Sequence, residues 1–293
     1  MENFFKYTTK NTEDKNWGLY INVIGCAAIS ENSDYPPEGH PIGYNFNWTN
    51  GRVLHEYQLN YITNGDGILE TKKGKYRVEE GSVIILYPGI WHRFRPSKNG
   101  WNEHYVGFNG EFAAKMFQHD FFVNKEPMVK IGFNEDFLRF FIELQQLVQN
   151  EKPGYQQMCS GLVVTMLSSI LSIKKNENFS GKEIEKIIQK ACMIIRENLD
   201  SNLNMEKVAQ NLNVGYSNFR KMFKKYTGIS PAQYSLSLRI RQAKDLLNNT
   251  DLSVKEISYQ VGFNSIDYFS RVFKSKTGKN PTEYKADRLK KMH

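Results

Sequence analysis

A single sequence pattern occurs twice in this chain, fifty positions apart, and no other feature constrains the fold as strongly. The first copy, Phe219 to Tyr234, reads FRKMFKKYTGISPAQY, and the second, Phe269 to Tyr284, reads FSRVFKSKTGKNPTEY. The terminal aromatic residues, a second Phe, a Thr-Gly pair and a Pro keep their places in both copies. A repeat at a fixed spacing indicates one supersecondary unit that is used twice.

Each copy predicts the end of one helix and the start of the next. Phe219 and Phe223 are four positions apart and therefore share one helical face. Gly228 stands where a helix C-terminus favours a left-handed residue. Ser230 and Pro231 have the order of an N-cap and a first helical residue, with a capping-box partner three positions after the serine. The second copy repeats these positions at Phe269, Phe273, Gly278, Asn280, Pro281 and Glu283.

The similarity continues upstream at an offset of 49. The turn before the second helix must therefore differ by one residue between the copies. Ser253 and Glu256 predict a capping box at the upstream helix of the second copy. Each unit is a short amphipathic helix, a brief turn and a second amphipathic helix. This order predicts two helix-turn-helix motifs, at about 203–226 and 252–276.

A connecting helix is predicted between the two motifs, from about Ser230 to Asn248. Such a connector would fix the second helix of one motif relative to the second helix of the other. Helices that enter successive major grooves on one face of B-DNA lie about 34 Å apart. Arg239, Arg241 and Lys244 lie off its apolar stripe. The stripe steps by four, three and four residues and consists of Leu236, Ile240, Ala243 and Leu247.

Residues from about 184 to 288 resemble the DNA-binding domain of the AraC/XylS family of bacterial transcription regulators. The resemblance rests on MFKKYTGISP at 222–231, RIRQAKDLL at 239–247, ISYQVGF at 257–263 and YFSRVFK at 268–274. One departure is Gly215, where the family usually has a serine cap. The resemblance implies that two helix-turn-helix motifs bind double-stranded DNA in a sequence-specific manner.

We call the second helix of each motif its reading helix. The outward faces of the two predicted reading helices carry polar and cationic side chains, which suits helices that enter a major groove. Cations on one helix alone would as readily be a solvated surface, but the same pattern on two linked helices favours DNA contact. The candidates for reading base edges are Arg220, Lys221 and Arg271. The candidates for holding phosphates are Lys224, Lys274 and Lys276. The remaining candidate contacts are Ser217, Asn218, Asp267 and Tyr268.

The charge of the chain is divided unevenly. Residues 181–293 contain 21 Lys or Arg against 11 Asp or Glu, whereas the first 180 residues contain 18 against 20. The net charge of +8 therefore arises from the C-terminal part, and with the doubled motif this favours attraction to phosphates over an idle basic surface. No run of 18 apolar residues and no signal-peptide pattern is present, and the three cysteines are scattered. A cytoplasmic location and no membrane partner are expected.

The N-terminal part of the chain has a different texture, that of short β-strands. From about 18 to 108, apolar runs alternate with turn signals such as Asn64–Gly67 and Pro88–Gly89. This spacing predicts a barrel or a sandwich. The segments 57–67 and 81–92 resemble the small cupin barrel of sugar-sensing regulators in the same family. The expected fold class is α+β and multidomain: a cupin- or jelly-roll-like β-barrel with following helices, then an all-α domain with the two helix-turn-helix units.

A small-molecule site is expected in the barrel. Sugars are held by aromatic faces and by a few charged groups that bind hydroxyls, and the strands after residue 90 are rich in both. In the regulators that this part resembles, a residue after the Pro-Gly-His turn and alternate residues of the next strand grip the ligand. Those positions correspond to Phe94, Glu103 and Tyr105. Arg52, ahead of the first barrel strand, and His92 complete the candidate set.

Cupin barrels often bind a metal ion, which keeps an enzymatic alternative open. Metal-binding cupins carry two histidines and a carboxylate on one short strand, with a later histidine. The His-x-His pair is absent here, although three ligands can be drawn from His55, Glu56 and His92. We therefore expect no metal, no cofactor and no catalytic residue. The alternative is a metal-dependent cupin enzyme with a DNA-binding appendage.

Two helices with apolar stripes are predicted between the β region and the DNA-binding region, at 136–150 and 155–173. Such stripes form either a core against the barrel or a seam between two copies, and the resemblance favours a homodimer. The expected domains are 1–175 for ligand binding and dimerisation, 176–182 as a polar linker, and 183–293 for DNA binding.

Together these features predict a ligand-responsive transcription regulator, with a sugar as the expected effector and sugar utilisation genes as the expected targets. Its partners would be double-stranded DNA, the effector and a second copy of the chain, and RNA polymerase is a further candidate. A second alternative is a DNA-binding dimer that takes no ligand and uses its barrel only for dimerisation.

Overall fold

The computed structural model describes residues 3–33, 35, 48–177, 179, 183–201 and 203–291, the last five by their backbone only. The chain divides into two compact units, Met1–Glu177 and Asn178–His293. Within the described residues the first unit combines a β-sheet with helices, and the second is helical. This composition confirms the predicted multidomain α+β class in its coarse form.

The first unit is built on one antiparallel sheet. Its strands are β1 (Phe4–Tyr7), β2 (Tyr20–Ile29), β3 (Arg52–Val53), β4 (Tyr57–Thr71), β5 (Gly74–Glu79), β6 (Ser82–Leu86), β7 (Trp91–Asn109) and β8 (Met128–Lys130). They pair in the order β1-β2-β7-β4-β6-β8, and β3 pairs with β7 and β5 with β4. This arrangement is compatible with the expected cupin-type barrel.

The two longest strands, β4 and β7, bend where β4 carries glycines. The register between them shifts around Gly65 and Gly67. A Cβ at Gly65 would overlap the carbonyl oxygen of Gly100, and a Cβ at Gly67 would overlap that of Arg95. The absence of side chains at both positions therefore lets the two backbones approach at the bend.

Alternate strand residues lie on two faces of the sheet. Leu59 and Phe108 belong to a hydrophobic core that also includes buried residues of helices α4 (Glu135–Asn150) and α5 (Tyr155–Asn176). The opposite face, which we call the inner face, carries a second core. The buried apolar residues of the inner face include Ala27, Ile62, Leu69, Phe94 and Trp101. Three short helices complete the unit: α1 (Thr12–Asn16), α2 (Glu111–Met116) and α3 (Asp120–Val123).

Both predicted helices that follow the β region are present. The apolar stripe of α4 is buried at Phe137 and Phe141, among others, so this stripe serves the core. Helix α5 has the length and composition of a membrane span, as core helices of soluble proteins also can, and Val163 and Ile170 are buried. It continues through Asn176, into the predicted linker at 176–182. Residues 178 and 180–182 of that segment lie outside the described residues.

The second unit has the predicted order of two helix-turn-helix motifs around a connecting helix. Its helices are α6 (Glu183–Glu197), α7 (Met205–Asn211), α8 (Tyr216–Thr227), α9 (Pro231–Asn249), α10 (Val254–Gln260), α11 (Ile266–Thr277) and α12 (Pro281–Lys291). The first helices of the two motifs are offset by 49 and the second by 50, so the turn differs by one residue as predicted.

The predicted helix boundaries of the repeat are confirmed. Gly228 and Gly278 end α8 and α11 in the left-handed region, with φ of 86° and 80°. Ser230 and Ser253 form capping boxes with the residues three positions on. The four repeated phenylalanines are fully buried, which explains their recurrence as a packing requirement: Phe219, Phe223, Phe269 and Phe273.

Candidate ligand site and DNA interface

The inner face carries polar side chains beside its apolar core. On β4, Gln58 and Asn60 alternate with Leu59, which lies on the helix side, and both are almost fully buried. On β7, Glu103 and Tyr105 share this face, because Tyr105 is paired with Asn60 in the strand register. Gln58 Oε1 and Asn60 Nδ2 have no hydrogen-bond partner within the described part of the protein. Buried polar atoms of this kind normally require a partner.

Arg52 and His92 form one pair on the inner face, where β3 meets β7. Arg52 Nε donates to His92 Nε2 at 3.2 Å, and His92 Nδ1 donates to the carbonyl oxygen of Ile90 at 3.0 Å. Burial and the adjacent guanidinium lower the pKa of His92 to about 4. The imidazole is therefore neutral near pH 7 and accepts from the arginine. The guanidinium also lies 5.3 Å from the ring of Phe94.

Glu103 and Tyr35 form a second pair. The Tyr35 hydroxyl donates to Glu103 Oε2 at 3.1 Å, and the Tyr35 ring contacts Phe94 and Trp101 with centroids 6.0 and 5.8 Å apart. Burial raises the pKa of Glu103 to about 7, against the opposing effects of the Tyr35 hydrogen bond and of Arg52. Near neutral pH this carboxyl group can therefore donate as well as accept a hydrogen bond.

Two glycines make room for polar side chains beside this cluster. A Cβ at Gly25 of β2 would overlap the Tyr105 hydroxyl, and a Cβ at Gly107 of β7 would overlap a carboxylate oxygen of Glu56. Glu56 Oε2 accepts from Asn22 Nδ2 at 2.7 Å. The glycines thus admit a tyrosine and a carboxylate into space that other residues would fill.

An open cleft of about 600 Å³ borders the same cluster at Tyr35. Tyr35 is therefore shared by the cleft and by the pair with Glu103. The other residues that line it include Asn32, Ser33, Trp48, Arg95 and Lys98.

The five ligand candidates from the sequence therefore lie on one face and are linked through Arg52, Tyr35 and Phe94. Sequence reasoning missed Tyr35, Gln58 and Asn60. The polar residues at alternate positions of the strand that begins at Tyr57 were a signal for Gln58 and Asn60. Tyr35 had no such signal, since it lies in no periodic segment.

The two histidines considered as metal ligands differ in their exposure to solvent. His55 is exposed and His92 is buried. Within the described residues, no three His, Cys, Asp or Glu side chains lie close enough together to hold a metal ion.

The two candidate reading helices differ at their N-termini. Ser265 caps α11 by accepting from the backbone N–H of Tyr268. Gly215 occupies the equivalent position before α8 and provides no side-chain hydrogen bond. The predicted departure at Gly215 is thus a missing cap at the start of α8.

All ten candidate DNA contacts are exposed on α8 and α11, whereas the repeated phenylalanines face the core. None of the ion pairs in the described part of the chain involves a cation of these two helices. Their charges are therefore available to an external polyanion. The ten residues are Ser217, Asn218, Arg220, Lys221, Lys224, Asp267, Tyr268, Arg271, Lys274 and Lys276.

Both units match known protein families. Residues 26–164 match the AraC-like ligand binding domain, and residues 208–287 match a helix-turn-helix domain. The arabinose operon regulatory protein of Escherichia coli is 26% identical over 78% of this chain and 80% of its own length. The lactose operon transcription activator of Staphylococcus xylosus is 25% identical over 83% of this chain and 87% of its own.

Two solved structures are similar to about a third of this chain. The C-terminal domain of AraT, a response regulator from Geobacillus stearothermophilus, is 31% identical and covers 36% of this chain and 89% of that one, with a TM-score of 0.35. The DNA-binding domain of AdpA, solved with a target DNA, is 27% identical and covers 34% of this chain and 90% of that one, with a TM-score of 0.33.

A ligand-binding β domain followed by two linked helix-turn-helix motifs defines a ligand-binding transcription regulator. The chain belongs to the AraC/XylS family of such regulators.

Proposed function

We propose that this regulator binds a sugar on the inner face of its β unit and that the sugar changes its binding to DNA. The observation that carries the ligand site is the set of buried polar groups on that face. Gln58 Oε1 and Asn60 Nδ2 lack partners within the described residues, and a ligand with hydroxyl groups would supply both a donor and an acceptor.

The chemistry of the surrounding side chains supports a neutral polyol. Glu103 and Arg52 offer an acid near neutral pH and a cation within one cluster, so hydroxyls can be bound as donors or acceptors. The rings of Tyr35 and Tyr105 provide faces for C–H groups. The names of two relatives, which refer to arabinose and lactose operons, favour the same class of ligand and target genes that serve sugar utilisation.

On the DNA side, we propose that Arg220, Lys221 and Arg271 read base edges, and that Ser217, Asn218, Asp267 and Tyr268 adjust the reading. Lys224, Lys274 and Lys276 hold phosphates. The two helices differ at equivalent positions, so the half-site is asymmetric, with two unlike patches about 34 Å apart.

Coupling between the two sites requires that the sugar bind two states of the regulator with different affinity. Linkage is reciprocal, so DNA must change the affinity for the sugar by the same factor as the sugar changes the affinity for DNA. Titrating the sugar with and without DNA tests this statement directly.

Thermal unfolding with a panel of neutral sugars tests the ligand. A specific sugar stabilises the folded protein by about 2.7 kcal/mol at a hundredfold excess over its dissociation constant. The melting temperature therefore rises. Glu103→Gln should abolish the shift, and Glu79→Gln, which alters a carboxylate paired with Lys130 instead, should retain it. A panel without any shift would favour the DNA-binding dimer that takes no ligand.

We further propose that two copies associate through the exposed side of α5. Met158 is 61% exposed, and Gly161, Thr165 and Ser168 are exposed beside it without any charge. Met158→Glu should shift the sedimentation equilibrium towards monomer. Met193→Glu, at a methionine that is 51% exposed on α6, is the matched control and should leave it unchanged.

The regulator is proposed to act in the cytoplasm by binding, without catalysis, and to influence RNA polymerase from its DNA site. Elemental analysis of the purified protein tests the enzymatic alternative. Stoichiometric iron, manganese or zinc would support the alternative function, a metal-dependent cupin enzyme.

A further inference from the structure

The two helix-turn-helix motifs have separate hydrophobic cores. The first core contains Phe219 and Phe223 and includes Leu238 of α9 at its edge. The second contains Phe269 and uses Ile240 of the same helix. Helix α9 therefore belongs to both motifs.

Arg239 lies on α9 between these two sides and contacts the backbone of the second motif and of the segment that leads into the first. Its Nη1 donates to the carbonyl oxygen of Gly262 at 2.7 Å, in the turn between α10 and α11. Its Nη2 donates to the carbonyl oxygen of Ser201 at 2.5 Å, in the segment before α7. The guanidinium also lies 6.0 Å from the ring of Phe263, which follows Gly262.

The two segments that Arg239 joins also touch each other. Gly262 has φ of +81°, and a Cβ at this position would overlap the carbonyl oxygen of Leu199 and lie 3.0 Å from Arg239 Cζ. The turn before the second reading helix therefore packs directly on the segment that leads into the first motif. Only glycine combines this backbone conformation with such an approach.

An arginine suits this position for a geometric reason. Its planar guanidinium presents several N–H donors in a rigid fork, so two carbonyl oxygens can be held at a fixed angle by one side chain. A lysine has one ammonium group on a flexible chain and cannot fix two acceptors in the same way. Neither carbonyl belongs to a reading helix, so the effect on DNA must act through position.

We propose that Arg239 is a positioning residue that clamps the two helix-turn-helix motifs and thereby sets the distance and angle between α8 and α11. The inference rests on the proposed reading of DNA by both helices and adds what holds their spacing. It assigns to Arg239 the selection of operators in which the two contacted patches have one particular separation.

Pulsed electron paramagnetic resonance on the full chain tests the clamp without DNA. Spin labels at Lys224→Cys and Lys274→Cys occupy equivalent exposed positions of α8 and α11, and Cys192→Ala removes the half-buried native thiol. The parent should give one narrow distance distribution, which Arg239→Ala should broaden and Arg239→Lys should broaden less. Arg241→Ala, at an exposed arginine of the same helix, should leave the distribution narrow. An unchanged distribution in Arg239→Ala would overturn the clamp.

Binding to DNA tests its consequence. A preferred DNA site is first selected from a random library with the full chain. One or two base pairs are then inserted between the two patches that the protein contacts. The parent should lose about tenfold or more in affinity on insertion, and Arg239→Ala should lose less than about threefold. Arg241→Ala controls for the lost charge and should keep the spacing dependence of the parent.

The outcomes separate the two proposals. A selected site with a single patch would contradict reading by both helices, and the clamp with it. A two-patch site on which Arg239→Ala loses as much affinity as the parent upon insertion would contradict the clamp alone. If Arg239→Ala does not fold, the intermediate spacing dependence expected of Arg239→Lys decides the question.

Discussion

The inner face and the reading helices place their polar groups in opposite situations. On the inner face, Arg52, His92, Tyr35 and Glu103 bind one another away from solvent, and burial shifts the pKa values of His92 and Glu103. On α8 and α11 the cations are exposed and, within the described residues, take part in no ion pair. The polar groups of the inner face are thus already paired with one another, whereas the cations of α8 and α11 remain accessible to an external polyanion.

This difference determines what a substitution changes. Groups that bind one another in a buried site contribute to folding, so their removal alters stability together with ligand affinity. Exposed cations contribute little to folding, so we expect their removal to alter DNA binding without altering stability. Substitutions at the two sites should therefore differ most in their effect on stability.

Arg52→Ala should destabilise the first unit by about 3 kcal/mol, because it removes the charged donor to His92 Nε2 and leaves that buried acceptor without its partner. All four tryptophans lie in this unit, so urea unfolding followed by tryptophan fluorescence reports on it selectively. Arg77→Ala is the control, since Arg77 is 75% exposed and paired with Glu79 on the surface, and it should cost less than about 1 kcal/mol. Equal effects of the two substitutions would contradict a preorganised inner site.

Glu103→Gln should change the pH dependence of stability by about 3 kcal/mol between pH 4.5 and 7. The folded pKa of Glu103, about 7, lies above the ordinary 4.5. Between these values the unfolded carboxyl releases its proton while the folded one keeps it, so the parent loses stability as pH rises from 4.5 to 7. The variant lacks this loss.

The measurement is the difference in unfolding free energy between parent and variant at several pH values. Taking the difference removes the opposite contribution of His92 and His104, whose pKa values burial lowers to about 4. Those histidines cost stability as pH falls from 6.5 to 4 in both proteins. A difference that stays constant from pH 4.5 to 7 would rule out a raised pKa at Glu103.

The sequence predicted the second unit in far more detail than the first. The repeat specified the buried phenylalanines, the glycine ends of α8 and α11 and the capping boxes, because these features depend on residues within a few positions of one another. In the first unit, the β texture and the candidate residues were visible, but the bend at Gly65 and Gly67 depends on strand pairs distant in sequence.

Long-range placement also explains the residues that sequence reasoning missed. Tyr35 meets Glu103 across 68 positions of the chain, and Arg239 meets Ser201 and Gly262 across 38 and 23. No local pattern marks such contacts. The sequence placed Arg239 off the apolar stripe of the connector but did not indicate what its guanidinium binds.

Arg271→Ala should weaken binding to the preferred DNA by about 2 kcal/mol and relax the choice of base in one patch, with an unchanged melting temperature. Lys274→Ala, one helical turn further on, is the comparison: it should weaken all sequences alike and reduce the slope of affinity against salt by about one. Titrations of single-base variants at several salt concentrations separate the two. If Arg271→Ala weakens every sequence equally, Arg271 is a phosphate contact.

Gly215→Ser should have the smallest effect, a gain of a few tenths of a kcal/mol in the stability of α8. The backbone at Gly215 has φ of −60° and ψ of 133°, which any residue adopts, and no atom lies within 4 Å of a Cβ placed there. The serine can therefore accept from the N–H of Asn218, as Ser265 accepts from that of Tyr268. Hydrogen exchange should show slower exchange at the Asn218 amide, and Ser265→Gly should show the converse at Tyr268. Unchanged exchange at Asn218 would contradict a missing cap as the difference between the starts of α8 and α11.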